Sequence, residues 1–149
     1  MEKLLSPWLT IRTQFVLAAF FVVAAFAKIA DPPGFAHEIH NDRLLPAAAV
    51  NALALVLPWL ELLAAAALFV GFWRHEAAGL LALLLVVFIG ALSINLARRH
   101  AVYCGCFGVS TAERTEAERF SDMKLAILRD VGLLALAAQV LAATRVARD

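Results

Sequence analysis

Charged residues are scarce in this sequence. Only 17% of its 149 residues are Asp, Glu, Lys or Arg, and 63% are hydrophobic, whereas about 25% charged residues is usual for soluble domains. The net charge is +1, and no basic run contains interleaved aromatic residues, so the composition excludes nucleic acid as a partner. The few charges are too clustered to cover a soluble core evenly, and the apolar segments are therefore expected to contact membrane lipid.

Strand patterns are also lacking, because no segment alternates strictly between polar and apolar residues as a membrane β-strand does. A spanning helix needs about 20 mostly apolar residues. Four segments meet this length: roughly 11 to 30, 47 to 72, 76 to 97 and 123 to 144. The pattern predicts an all-α integral membrane protein, a four-transmembrane-helix bundle in a single domain over residues 1–149, with a cysteine loop at about 98–122.

The first apolar segment also has features of a secretory signal. Lys3 and Arg12 precede it, and Ala25-Phe26-Ala27 is similar to a small-residue cleavage site. The apolar run from 15 to 27 is long for a signal core, however, and three further apolar segments follow it. We therefore interpret the segment as a retained first helix.

Small residues and one proline are expected to shape helix packing. Lipid provides no hydrophobic drive between helices, so close approach at small residues matters, although alanine also simply favours helix. The candidate contact positions are Ala64–Ala67, Ala135, Ala137, Ala138, Ala142 and Ala143. Pro58 removes a backbone hydrogen bond, which predicts a bend in the second helix.

Four crossings place both termini and the loop at Arg74 on one side of the membrane. The ends of the first and third helices and the starts of the second and fourth then share the other side. The residues gathered there are Lys28, His37, His40, Asn95, His100, Cys104, Cys106, Arg129 and Asp130.

The charged segment at 111–123 allows two interpretations. It is either a short interfacial helix or a solvated loop of mixed charge. Thr111 with Arg114, or Thr115 with Glu118, would open such a helix, and the second pair matches a capping box.

The chain has two cysteines, and a single glycine separates them in Cys104-Gly105-Cys106. Gly105 provides the backbone freedom that a very small disulfide ring requires. Such a ring constrains the unfolded chain very little, and a strained disulfide is readily reduced. The pair therefore favours thiol–disulfide exchange over a structural crosslink.

A metal site is the alternative for these cysteines, because His100 precedes Cys104 by four residues. A structural zinc site needs four protein ligands. His37 or His40 would have to complete the set, and their spacing does not indicate this. We therefore expect no metal.

Four charged residues, Lys28, Glu61, Arg129 and Asp130, fall inside predicted membrane helices. Such residues usually face the bundle interior, where they pair or relay protons. Arg129 would favour the thiolate form of a cysteine or be neutralised by Asp130. Glu61 would relay protons or make a structural hydrogen bond. Counting residues places Lys28 near the interface and Glu61 nearer the midplane, so we expect direct contact only if a helix bends.

Several short motifs carry a resemblance to a known family. They are Ala27-Lys28-Ile29-Ala30-Asp31-Pro32, Leu44-Leu45-Pro46, Pro58-Trp59-Leu60-Glu61, Cys104-Gly105-Cys106-Phe107-Gly108 and Leu128-Arg129-Asp130. On these residues the chain resembles the DoxX-like membrane proteins, most closely the branch of the methylamine utilisation protein MauE. The cysteine motif is the specific one, and Ala27 departs from the glycine of many relatives. The resemblance implies a four-helix fold and a role in redox maturation of a periplasmic enzyme. Broader relatives look like subunits of quinone-linked systems.

These features together predict a thiol–disulfide redox protein in which Cys104 and Cys106 exchange with an extracytoplasmic redox or disulfide-containing protein. Quinone is the expected membrane acceptor, and Lys28, Glu61, Arg129 and Asp130 are the supporting charges. The alternative is a non-enzymatic anchor or assembly subunit of a larger redox complex. A transporter is not indicated, since no inverted repeat is visible.

The sequence indicates only weakly which side of the membrane the cysteine loop faces. The cysteine side holds eight of the 13 Lys and Arg residues, but Lys28 and Arg129 lie inside helices, which leaves six against five. Disulfides persist on the oxidising side of a membrane. We therefore expect a bacterial inner membrane protein with its cysteine loop facing the periplasm or exterior.

Overall fold

A computed structural model describes residues 6–99 and 115–148, so His100, Cys104 and Cys106 lie outside the described residues. The described ranges contain five helices and no strand: α1 Pro7–Ala30, α2 Pro32–Asn41, α3 Ala47–Val70, α4 Arg74–Ala97 and α5 Glu116–Val146. All except α2 are long and apolar enough to span a membrane. The predicted class, an all-α membrane protein with four transmembrane helices, is confirmed.

Helix α2 was not expected from the sequence, which predicted only the four spanning helices. The Asp31 carboxylate caps the helix by accepting a 3.1 Å hydrogen bond from the Gly34 N–H, and Pro32 occupies the first helical position. A Cβ atom at Gly34 would come too close to this carboxylate, so a larger residue here would require the Asp31 side chain to shift. The motif is therefore a helix start, and α2 packs against α1 and α3.

Helix α5 corrects the end of the predicted loop at about 98–122: residues 116–122 belong to the membrane helix, so neither a separate interfacial helix nor a solvated loop describes them. It begins at Glu116 and continues without interruption for 31 residues as the fourth membrane helix. The predicted capping box is present: the Thr115 hydroxyl accepts from the Glu118 N–H at 3.4 Å, and the Glu118 carboxylate accepts from the Thr115 N–H at 2.9 Å. This cap starts the helix before its apolar part, so the charged first turns extend the membrane helix.

Thr115→Ala is expected to fray the first turns of α5. The substitution removes the hydroxyl acceptor, and losing such a cap costs about 1 kcal/mol of helix stability. Amide hydrogen exchange should accelerate in residues 116–120 and stay unchanged in the apolar part of α5. Thr115→Ser keeps the hydroxyl and is the control; equal acceleration in both variants would contradict the capping role.

The four spanning helices pack in a ring, in which α1 contacts α3 and α5, and α4 contacts the same two helices. The core at their centre is apolar, with Leu17, Leu68, Leu81 and Val140 almost completely buried, one from each spanning helix. The long apolar side chains outside the ring, such as Leu63 and Leu128, are largely exposed. An apolar outer surface of this kind suits contact with lipid.

In α3 and α5, the alanines that enter this core lie on one face of each helix. Ala64, Ala65 and Ala137 are buried, whereas Ala66 and Ala138 are exposed. The other predicted alanine positions divide in the same way, with Ala67 and Ala143 partly buried and Ala135 and Ala142 exposed. Pro58 is buried inside α3, and the bend expected there remains a prediction.

Polar contacts join the helix ends on the side of the termini. The Gln14 side-chain amide donates a 3.0 Å hydrogen bond to the Leu68 carbonyl, which lies in the last turn of α3, where carbonyls lack helical partners. Arg148 pairs with Glu76 at 3.1 Å. These contacts connect the start of α1 to the end of α3 and the start of α4 to the end of α5, as the helix count predicted.

Candidate functional site

Lys28 of α1 and Glu61 of α3 form an ion pair inside the bundle. Lys28 Nζ donates hydrogen bonds to both Glu61 carboxylate oxygens, at 2.8 Å to Oε1 and 2.7 Å to Oε2. The two residues are only 4% and 2% exposed. The sequence predicted direct contact only if a helix bends; the contact is present, and the bend at Pro58 remains a prediction.

Side-chain direction explains the contact. Cα–Cβ bonds in a helix tilt toward its N-terminus. Because α1 and α3 run antiparallel, Lys28 leans from the end of α1 toward the membrane centre, whereas Glu61 leans toward the start of α3. The two long side chains therefore converge across the axial distance between their backbones.

Two aromatic rings complete the surroundings of the Lys28 ammonium. Lys28 Nζ lies 5.2 Å from the ring centroid of Phe35 in α2 and 5.0 Å from that of Phe88 in α4. Contacts of this length to an aromatic face stabilise a cation. Helices α2, α3 and α4 all contribute a group that favours the charge on α1, and no pattern in the sequence indicated a role for either ring.

Arg129 and Asp130 form a second pair within α5. Nε and Nη2 of Arg129 donate to Asp130 Oδ1 at 2.9 Å and 2.8 Å. The Arg129 side chain is 27% exposed and that of Asp130 only 4%. The Arg129 guanidinium also lies 5.2 Å from the ring centroid of Phe20. The neutralising contact, one of the two interpretations of this pair, is present.

The two pairs meet at one small cavity. Lys28, Glu61, Arg129 and Asp130, called here the charge cluster, line a space of about 20 Å³ together with apolar and aromatic side chains. That volume accommodates about one water molecule. The cluster contains two cations and two carboxylates, so its formal charge is zero and each charge has an opposite charge close by.

Within the charge cluster, Lys28 lies in the last turn of α1, at the end of the bundle opposite the termini, whereas Glu61 and Asp130 lie near the middle of α3 and α5. At this end, Asn95 near the end of α4 donates a 3.2 Å hydrogen bond to Asp42, which follows α2. Helix α4 ends and α5 begins here, and the segment that carries Cys104 and Cys106 joins those two helices.

The histidines considered as metal ligands, His37 and His40, are exposed on α2. Within residues 6–99 and 115–148, no group of three or more His, Cys, Asp or Glu side chains is arranged to hold a metal ion.

Comparison with known proteins identifies the family. The family model described as methylamine utilisation protein MauE matches residues 6–143. The chain belongs to the MauE family. It is 38% identical over 107 residues to the methylamine utilization protein MauE of Paracoccus denitrificans, covering 71% of this chain and 58% of the relative. It is 42% identical over 107 residues to that of Paracoccus versutus, with the same shares covered.

The MauE protein of Methylorubrum extorquens is 39% identical over 108 residues, which cover 72% of this chain and 58% of the relative. The match thus spans less than two thirds of the length of these relatives. No solved structure matches the chain.

Proposed function

We propose that this MauE family member is a membrane thiol–disulfide redox protein that relays electrons or disulfides through Cys104 and Cys106. The charge cluster carries the proposal. Ionisable groups are costly inside a membrane and are usually kept there for a function. Four of them line one cavity inside the bundle, and Lys28 lies in the last turn of α1, at the end where the cysteine-bearing segment joins α4 and α5.

The proposed reaction transfers two electrons and two protons. A disulfide between Cys104 and Cys106 accepts them from two thiols of an extracytoplasmic protein, which leaves that protein with a disulfide and this chain with two thiols. Transfer of two electrons and two protons to a quinone then regenerates the disulfide and yields a quinol. The reverse sequence would deliver reducing equivalents to the partner.

The residues of the charge cluster have several roles in this chemistry under the proposal. The ion pair between Lys28 and Glu61 fixes α1 against α3, while Arg129, which is partly exposed, favours the thiolate that attacks a disulfide. Asp130 orients the Arg129 guanidinium through two hydrogen bonds. A proton relay through Glu61 is the other proposed role. It would require Glu61 to leave an ion pair in which both of its oxygens accept from Lys28.

We place the protein in a bacterial inner membrane, with the cysteines facing the periplasm. The relatives are named for methylamine utilisation, and we propose an accessory role in the same process, with an extracytoplasmic redox or disulfide-containing protein as partner. The motifs shared with DoxX-like proteins support a wider relationship to membrane redox subunits.

A membrane-impermeant maleimide reagent tests both the pairing and the side of the cysteines. In spheroplasts, whose periplasmic face is open to the medium, we expect no labelling of the oxidised protein and labelling of both cysteines after reduction. Asp149→Cys in a Cys104→Ser/Cys106→Ser background is the control, because the C-terminus should react only after lysis. Labelling of Cys104 and Cys106 only after lysis would exclude a periplasmic disulfide role.

A further inference from the structure

The small cavity at the charge cluster has the size and the polar groups that a buried water molecule requires. Its volume of about 20 Å³ exceeds the roughly 10–15 Å³ that one water needs, and such a water bonds to two to four polar partners. Among the described residues that line the cavity, only those of the charge cluster are polar. A water in this cavity therefore has to bond to the charged side chains.

Lys28 has one N–H donor left for such a water. An ammonium group has three N–H donors, and the hydrogen bonds that Lys28 Nζ donates to described groups both end on Glu61. The rings of Phe35 and Phe88 lie near Nζ and stabilise its charge, but neither replaces a hydrogen-bond acceptor. A buried donor of a charged group is costly to leave without an acceptor. A water that accepts from Nζ removes this cost.

Asp130 has the matching acceptor. The two hydrogen bonds that it accepts from Arg129 both end on Oδ1. Within residues 6–99 and 115–148, no donor reaches the other carboxylate oxygen, Oδ2, although Asp130 is buried and lines the cavity. Lys28 attracts the Asp130 carboxylate by its charge without a direct hydrogen bond. A water that accepts from Nζ and donates to Oδ2 bridges the two groups.

The two carboxylates of the charge cluster differ in how they can hold a proton. Both oxygens of Glu61 accept from Lys28, so a proton on either oxygen competes with an N–H donor of the ammonium group. At Asp130, a proton on Oδ2 leaves both hydrogen bonds from Arg129 to Oδ1 in place. The bridging water then accepts from Oδ2–H instead of donating to Oδ2. Asp130 can therefore gain and lose a proton without breaking an ion pair.

We propose that Asp130 Oδ2 and one bound water form the proton-exchange site of the charge cluster. A hydronium ion gives a proton to the bound water, which passes one of its own protons to Oδ2; release reverses both transfers and leaves the water unchanged. The cluster gains one positive charge while the proton is held. A part for this site in moving the two protons of the redox cycle rests on the proposed function, whereas the site itself does not.

Charged groups from two other helices face this site. Lys28 of α1 and Glu61 of α3 line the cavity with Asp130 and its neighbour Arg129. Helix α4 contributes only apolar and aromatic side chains to the lining, and Phe88 is one of them. Because no other titratable side chain of the described residues lines the cavity, a proton held there is expected on one of the two carboxylates.

X-ray radiolytic labelling tests for the bound water. Radiolysis of a bound water produces hydroxyl radicals that oxidise the side chains beside it, including buried ones. In dodecylmaltoside micelles we expect label on Phe21 and Leu85, which are buried and line the cavity, and none on Leu81, which is buried elsewhere in the core. Ala24→Val fills the cavity and should remove the label. Ala25→Val is the matched control, because Ala25 is a buried neighbour on the same helix that does not line the cavity.

Infrared spectroscopy tests which carboxylate holds the proton. As the pH is lowered, we expect the wild type to gain a C=O stretching band of a buried carboxylic acid, which shifts in heavy water. Asp130→Asn should remove this band, whereas Glu61→Gln should retain it. Ala24→Val should move the band to higher frequency, because Oδ2–H then lacks the water that accepts from it. Glu76→Gln, in the exposed pair with Arg148, is the control and should leave the band unchanged.

Three results would each overturn the proposal: wild-type protein without label on Phe21 and Leu85, retained label in Ala24→Val, or loss of the band in Glu61→Gln instead of Asp130→Asn. The Cys104→Ser/Cys106→Ser variant should give the label and the band of the wild type, because neither measurement involves a thiol. The proton-exchange site can therefore stand if the thiol chemistry fails. A protein that transfers disulfides but lacks the label and the band would refute this site alone.

Discussion

Glu61→Leu is expected to lower the free energy of unfolding by about 3–5 kcal/mol, because it leaves the buried Lys28 ammonium without its counter-charge. Lys28 is 4% exposed, so the charge cannot reach water without a rearrangement of α1. The rings of Phe35 and Phe88 remain near it, but cation–π contacts recover only about 2 kcal/mol. Unfolding by sodium dodecyl sulfate in dodecylmaltoside micelles, followed by circular dichroism, measures the loss.

The double variant Lys28→Met/Glu61→Leu should recover most of this loss, since an apolar pair of similar volume often replaces a buried ion pair at little cost. Glu76→Leu is the matched control: it removes the same residue type from the exposed pair with Arg148 and should cost no more than about 1 kcal/mol. The unfolding free energies of Lys28→Met and Glu61→Leu are also measured separately. If their losses simply add in the double variant, Lys28 and Glu61 act independently, contrary to the geometry. A folded double variant also reveals whether the pair is needed for redox function.

Cys104→Ser and Cys106→Ser are each expected to abolish disulfide transfer to the partner protein. Exchange proceeds through a mixed disulfide that a second thiol must resolve, and the sequence has two cysteines, so no other thiol of the chain can substitute. The rate is measured as oxidation of partner thiols by the purified protein in liposomes with decylubiquinone as acceptor. Transfer retained by both single variants would exclude the proposed mechanism.

Unfolding of the serine variants provides the control for this experiment, and their stability should be close to that of the wild type, because a very small disulfide ring adds little stability. A pull-down separates catalysis from anchoring. If the Cys104→Ser/Cys106→Ser variant still assembles the partner complex and supports its activity, the protein is an anchor or assembly subunit and the cysteines have no redox role.

The sequence by itself determined the four membrane helices and which helix ends share a side of the membrane. The length of an apolar run is a local property, and an even number of crossings fixes which ends meet, without knowledge of packing. The capping box at Thr115 and Glu118 could also be predicted, since both partners lie within one turn. Asp31-Pro32 carried an equally local helix-start signal for α2, and the prolines and glycine around it obscured that signal.

The tertiary structure alone decided how the helices are rotated and shifted against each other. The hydropathy of a segment determines neither its rotation about the helix axis nor its shift along that axis. The packing of α1 against α3 brought Lys28 and Glu61 together at 2.7 Å, a contact that the sequence predicted only for a bent helix. The aromatic contacts of Lys28 arise where α2 and α4 meet α1. Such sites depend on distances between segments far apart in the chain, which the pattern within one segment does not specify.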